Sequence, residues 1–319
     1  MKPALLLFAL IATAHAQFSP AFLQDEKYWG DGKAEFNIYD AQEVRYGQPR
    51  KCEVIHILVR EPFAERDLVK AEPNTRGGTY PVIKLNQILH IPTGVYVYQQ
   101  MHSAFWRCDT GALVKATLTS NDSCGNTYKE FRALGGLRGL VSAGWHYEWR
   151  TYWEGMSAGE ENVSAPLFAN RHGNAETTAA TSQGIFYDEL PARVRMIDFE
   201  KPDGYFAFWI TNSIVNSKKD DVSFRPARLV WKAPADDRIV VELYDCVGFP
   251  KVDVETKSEF VLEAKPPHRL LEWHVPKSSS GKLRRSLKLD YWNFNKPGDL
   301  ERALNGIPTG ENAAHKTEP

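Results

Sequence analysis

The sequence predicts a mainly β, antiparallel protein, built as one strongly curved sheet or half-barrel with few short helices. Three observations lead there. Apolar residues recur with a period of two in run after run, aromatic residues make up 12% of the chain, and amphipathic helical stretches are scarce.

At the N-terminus, Lys2 precedes an apolar run from Ala4 to Ala12, and Ala14-His15-Ala16 places small residues where a signal peptidase cuts. Residues 1–16 therefore read as a secretory signal, leaving Gln17 first. The run is shorter than the roughly 20 residues that span a bilayer. A periplasmic or secreted protein with no transmembrane anchor is expected. Residues 17–304 read as a single β-rich domain, and residues 305–319 as a disordered tail.

Ala21 to Trp29 has room for two helical turns. Lys51 to Val59 alternates as a strand that Glu61-Pro62 should stop. Thr93 to Trp106 and Ala112 to Thr119 read as a hairpin turning at Asp109-Thr110-Gly111. Gly155 to Gly184, poor in large apolar residues, reads as a mobile insertion. Further strands are expected over Ala192 to Phe199, Tyr205 to Thr211, Ala227 to Lys232, Arg238 to Tyr244 and Glu259 to Ala264. The last two, Arg269 to Val275 and Lys282 to Trp292, should be joined by a loop at Ser278–Gly281. Asp299 is placed to cap a short helix through Leu304.

Loss of the signal leaves 38 basic against 40 acidic side chains, a balance that offers no electrostatic footprint for nucleic acid or anionic membrane. Four cysteines, Cys52, Cys108, Cys124 and Cys246, in an exported chain predict up to two disulfides. Free buried thiols and one reactive cysteine are the alternatives.

The segment from Trp145 to Trp153 is the most informative. As a strand it places Trp145, Tyr147, Trp149 and Trp153 on one face, with His146 and Glu148 on the other. Such a face is either core or a concave platform for an amphipathic ligand, because indole and phenol combine apolar area with one polar atom. Cys124, in the polar turn Asn121–Asn126, becomes a nucleophile only if folding brings a histidine such as His146 to it. Glu148 and Glu154 form a glycosidase pair only if their spacing suits one. Nine histidines form no metal-ligand pattern, although His268 and His274 should share a strand face. No nucleophile elbow, phosphate loop or dinucleotide motif is present, so no cofactor is expected.

Tyr28-Trp29-Gly30-Asp31-Gly32-Lys33-Ala34-Glu35, Val59-Arg60-Glu61-Pro62-Phe63, Pro81–Asn86, Cys124-Gly125-Asn126-Thr127-Tyr128 and the closing Tyr291–Asp299 segment resemble a family of uncharacterised exported bacterial proteins. Some of its members carry the label septum formation inhibitor Maf. The Ser-Pro-Arg-Arg motif of true Maf pyrophosphatases has no match here, Gln48-Pro49-Arg50-Lys51 being the nearest string. The resemblance supplies no catalytic residue.

The expected function is a non-enzymatic envelope protein that binds an amphipathic ligand, whether lipid, lipoprotein or glycan. A hydrolase using Cys124 with a histidine, or carboxylates near Glu148, is the alternative. A partner-docking protein without a small ligand is the third reading.

Overall fold

The computed structural model describes residues 18–134, 144–165, 184–199, 203–245, 257–299 and 302. The signal segment, the glycine-rich run at 135–140, Cys246 and the tail lie outside them.

The first nine strands are β1 Ala34–Arg45, β2 Gln48–Ala64, β3 Val69–Lys70, β4 Thr79–Pro92, β5 Val97–Arg107, β6 Leu113–Asp122, β7 Gly125–Ala133, β8 Gly144–Arg150 and β9 Ala158–Ser164. The remaining seven are β10 Ile185–Phe186, β11 Gly204–Thr211, β12 Arg225–Trp231, β13 Arg238–Asp245, β14 Ser258–Glu263, β15 Leu270–Val275 and β16 Ser279–Leu289. They form one curved sheet in the order β10 through β16, then β1, β2, β4 and on to β9, with β3 paired to β2 alone. Every pairing is antiparallel except β10 with β11. The first and last strands are thus neighbours, Ala34 opposite Leu289. Among the described residues no pairing joins β9 to β10, so the sheet is unclosed there.

Period-two alternation explains most of these strands, and the departures have physical reasons. β2 runs through Glu61-Pro62 because Pro62 faces Pro81 across the ladder. The two carbonyls point away from each other, accepting from Ala71 N–H and Cys108 N–H at 2.9 and 3.0 Å. Neither missing N–H interrupts a bond between the two strands. Residues 93–96 turn rather than extend, with Gly94 at φ 101° and Thr93 N–H bonded to Tyr96 O at 2.9 Å. The last hairpin turns at 276–278, so Ser279–Gly281 belong to β16. Within the expected insertion, Ala158–Ser164 is a regular edge strand on β8, and residues 166–183 lie outside the description.

Ala192 to Phe199 is not a strand. Leu190–Arg193 forms helix α3 and Val194–Met196 a 3₁₀ turn. The alternation was of apolar residues with arginines, and both Arg193 and Arg195 are themselves buried. Residues 187–197 run down the inside of the curved sheet as a plug. Glu189 fixes it to the wall: its Oε2 accepts from Trp106 Nε1 and Arg193 Nε, both at 2.8 Å, and its Oε1 accepts from Phe186 N–H at 2.9 Å. Arg193 Nη1 donates to Gly111 O at 2.7 Å. A buried pair is tolerable only when its lone pairs and protons are used in this way.

Two one-turn helices, α1 Ala21–Gln24 and α2 Glu26–Trp29, close the end of the sheet where β1 begins. Asp25 caps the second, accepting from Tyr28 N–H at 3.2 Å. We call this the basal end. The apical end carries the β1–β2, β4–β5, β6–β7 and β8–β9 turns. Three tryptophans cover glycines directly across the ladder: Trp149 over Gly159, Trp231 over Gly204 and Trp273 over Gly281. A Cβ on any of these glycines would fall 2.1–2.5 Å from an indole carbon.

Candidate functional site

Trp145, Tyr147 and Trp149 all face inward from β8, as the alternation predicts. Trp145 and Tyr147 have no exposed surface, and Trp149 is 8% exposed. Tyr147 stacks on Phe131 at 4.2 Å between centroids, and Trp145 meets Phe186 edge-on at 5.2 Å. Tyr147 Oη accepts from Asp220 N–H at 3.1 Å. This face is packed against the sheet's own contents. Trp153 lies beyond the strand, in the apical turn, and is 36% exposed.

Cys124 sits exposed at the tip of the β6–β7 hairpin, where its N–H donates to Asp122 Oδ1 at 2.8 Å. His146 lies on the outer face of β8, beside Asn162 at 3.2 Å and Glu160 at 3.5 Å. Glu148 shares that outer face, 3.6 Å from Arg150, whereas Glu154 is in the turn. Cys52, Cys108 and Cys124 are all free, so none of the up to two expected disulfides is seen among the described residues, outside which Cys246 lies. Cys52 faces inward and Cys108 is buried. Burial pushes the Cys52 thiol up to about 12 and that of Cys108 up to about 11. His268 and His274 do not share a face, because β15 begins only at Leu270.

A cleft of about 660 Å³ opens at the basal end. Phe22 from α1, Met196, Ile197 and Phe199 from the end of the plug, and Pro266-Pro267 from the β14–β15 turn supply its apolar walls. A buried ion pair holds these parts together. Arg195 donates to both oxygens of Glu35, at 2.7 and 2.8 Å, and to Pro267 O at 3.1 Å, and its guanidinium lies 4.3 Å from the Phe22 ring. Tyr28 and Asn37 also donate to Glu35. Burial alone pushes the Glu35 carboxyl up; Arg195 and these hydrogen bonds outweigh it and hold the carboxyl at about 2.

His268 stands on the rim of this cleft. Its Nδ1 lies 3.0 Å from Glu263 O, and a carbonyl can only accept, so Nδ1 carries the proton of the neutral ring. Burial, helped by the charge of Arg195, keeps the pKa below its ordinary value. Nε2 is left as a lone-pair acceptor, suited to a hydroxyl or N–H donor.

A smaller apical cavity, about 200 Å³, is lined by Glu43, Arg45, Gln87, Asp188, Ser213 and Trp273 among others. Burial pushes Glu43 up to about 7 and Asp188 up to about 6. Asp188 accepts from Ser213 Oγ at 2.6 Å and Ile214 N–H at 2.7 Å, which ties the 212–224 loop to the plug. Next to this cavity, His56, Gln87 and His102 stand opposite one another on β2, β4 and β5. His56 Nε2, Gln87 Oε1 and both ring nitrogens of His102 lack hydrogen-bond partners. Among the described residues no cluster of metal-ligating side chains occurs.

No family model matches the chain, and no curated protein matches it. Among solved structures it is similar to a β-barrel-like protein of a domain of unknown function, DUF1849, from Brucella abortus. The two are 8% identical, with a TM-score of 0.44 over 81% of this chain and 98% of that one.

Periodicity missed the cleft because its walls come from turns and from the plug. The one legible signal was the concentration of Phe22, Tyr28 and Trp29 in a segment too short to form a core helix.

Proposed function

We propose that the protein is an exported, non-enzymatic binder of a small amphipathic molecule, held in the basal cleft. The observation that carries this reading is the cleft itself. Its volume falls within the roughly 300–1,000 Å³ of small-molecule sites, its walls are mainly apolar, and a few polar side chains, His268, Asp25 and Asp198 among them, line it. The apolar body of the ligand lies against Phe22, Met196, Ile197 and Phe199. Its polar end, a hydroxyl or an N–H, donates to His268 Nε2. The inward aromatic face of β8 supports the sheet rather than the ligand.

The test is a fluorescence titration with N-phenyl-1-naphthylamine, an apolar probe with a single N–H donor. Ala21→Trp, at an exposed position on the cleft wall, should fill the recess and weaken probe binding about tenfold or more. His268→Phe should weaken it by less, since one hydrogen bond is lost while apolar area is kept. Probe binding that ignores Ala21→Trp would place the ligand elsewhere and sink the proposal. Native mass spectrometry of the protein purified from its exported compartment would then name the molecule it carries.

A further inference from the structure

The apical rim exposes side chains that a soluble surface normally covers. Of the eleven large apolar side chains left exposed among the described residues, six belong to its hairpin tips: Tyr46, Val95, Val97, Tyr152, Trp153 and Met156. Val95 is 99% exposed, Tyr152 69% and Tyr46 66%. These tips are contiguous. Tyr46 Oη lies 2.7 Å from the hydroxyls of both Tyr96 and Tyr98, which joins the β1–β2 tip to the β4–β5 tip. The β6–β7 tip lies beside the β4–β5 tip, because β5 pairs with β6 out to Gln99 opposite Asn121. The Tyr152 ring covers Gly125, where a Cβ would fall 2.3 Å from it, and this joins the β6–β7 tip to the β8–β9 tip.

Charge follows the same pattern. Residues 44–52 carry Arg45, Arg50 and Lys51, of which Arg45 is paired with Glu43 at 3.4 Å; residues 91–99 carry no charge at all, and the β6–β7 tip carries Asp122. At the far tip Lys218 Nζ sits 4.8 Å from the centre of the Trp153 ring, with Glu154 as the acid beside it. Tyr and Trp have an apolar body and a polar edge, the combination that settles at the boundary between lipid headgroups and acyl chains. Separate convex tips enter such a boundary individually and need no concave counterpart. Flanking cations favour anionic headgroups.

From this combination we infer that the apical rim docks on the surface of a lipid bilayer, its four hairpin tips dipping among the headgroups. This contact is independent of the basal cleft, at the opposite end of the sheet.

Flotation of the full chain with vesicles of phosphatidylcholine, and of phosphatidylcholine with phosphatidylglycerol, tests it. The protein should float with both, more strongly with the second. An environment-sensitive fluorophore on Cys124 should shift to the blue when vesicles are added. Val95→Asp, and Tyr152→Ser with Trp153→Ser, should each lower partitioning about tenfold or more, as expected for keeping one large apolar side chain in water. Trp292→Ser, at a comparably exposed aromatic beyond the basal end of β16, should leave partitioning unchanged. These are surface positions, so circular dichroism should show all variants folded. The inference is overturned if no vesicle binds, if rim and control substitutions act alike, or if rim substitutions instead dissociate a dimer in sedimentation.

Discussion

Replacing Glu35 by glutamine would remove one charge from the centre of the basal end while keeping the shape of the side chain. Arg195 would then be buried with only Pro267 O and an amide to answer its guanidinium. Breaking a buried pair from one side costs about 3–5 kcal/mol. An independent route gives a similar figure. A carboxyl held at about 2 instead of the ordinary 4.5 contributes about 3 kcal/mol to stability. Because the folded value is depressed, that contribution is complete above pH 4.5 and is lost as pH falls toward 2. Urea unfolding followed by circular dichroism at pH 7 should therefore show Glu35→Gln less stable by about 3–5 kcal/mol. Glu35→Leu combined with Arg195→Met removes both charges and should recover most of the loss. The reasoning fails if the single variant loses under about 1 kcal/mol, or if the double variant is no more stable than the single one.

Glu43→Gln should act in the opposite sense. Its carboxyl is raised, so the native protein loses stability as pH climbs from 4.5 through about 7, and the variant should melt higher than wild type at pH 8 but not at pH 4.5. His102, buried and held at about 4, contributes stability that is present above pH 6.5 and lost as pH falls through 4. His102→Leu should accordingly flatten the acid limb of a plot of melting temperature against pH. Gly281→Ala drives a methyl into the Trp273 indole and should cost about 1–3 kcal/mol in urea unfolding. Timed alkylation with residue-level peptide mapping should find Cys124 modified in the native state and Cys108 modified only after unfolding.

Much of the sheet was legible because inward burial imposes the period of two that β8, β12, β13 and β14 display. The plug was not legible. Val194 and Met196 alternate with Arg193 and Arg195 as a half-exposed strand would; Glu189 stands at the helical i,i+4 spacing from Arg193, but nothing local reveals that Glu35 receives Arg195 inside the sheet. Glu35 is 160 residues away from its partner along the chain. The basal cleft was hidden for the same reason, since its walls meet only after β14 and β15 have folded back beside the N-terminal helices. Trp145, Tyr147 and Trp149 were read correctly as sharing a face, but whether that face meets ligand or protein depends on what occupies the concavity. Here Phe186 and the plug occupy it.

The three glycine–tryptophan pairs act as keys for strand register. Sliding β9, β11 or β16 by two residues against its partner would keep every side chain on the same face, so burial alone would not oppose it. Such a slide would, however, replace the glycine beneath the indole by a residue bearing a side chain: Glu161 in place of Gly159, Phe206 in place of Gly204, or Leu283 in place of Gly281. One key lies at the free edge, at β8–β9, a second lies at β11–β12, one strand in from the other edge, and the third lies at β15–β16, one step from the seam between the first and last strands. A closed barrel fixes its stagger by having to meet itself. In this unclosed sheet, that task falls to local fits of ring against bare backbone at the places where the ladder has least help from its neighbours.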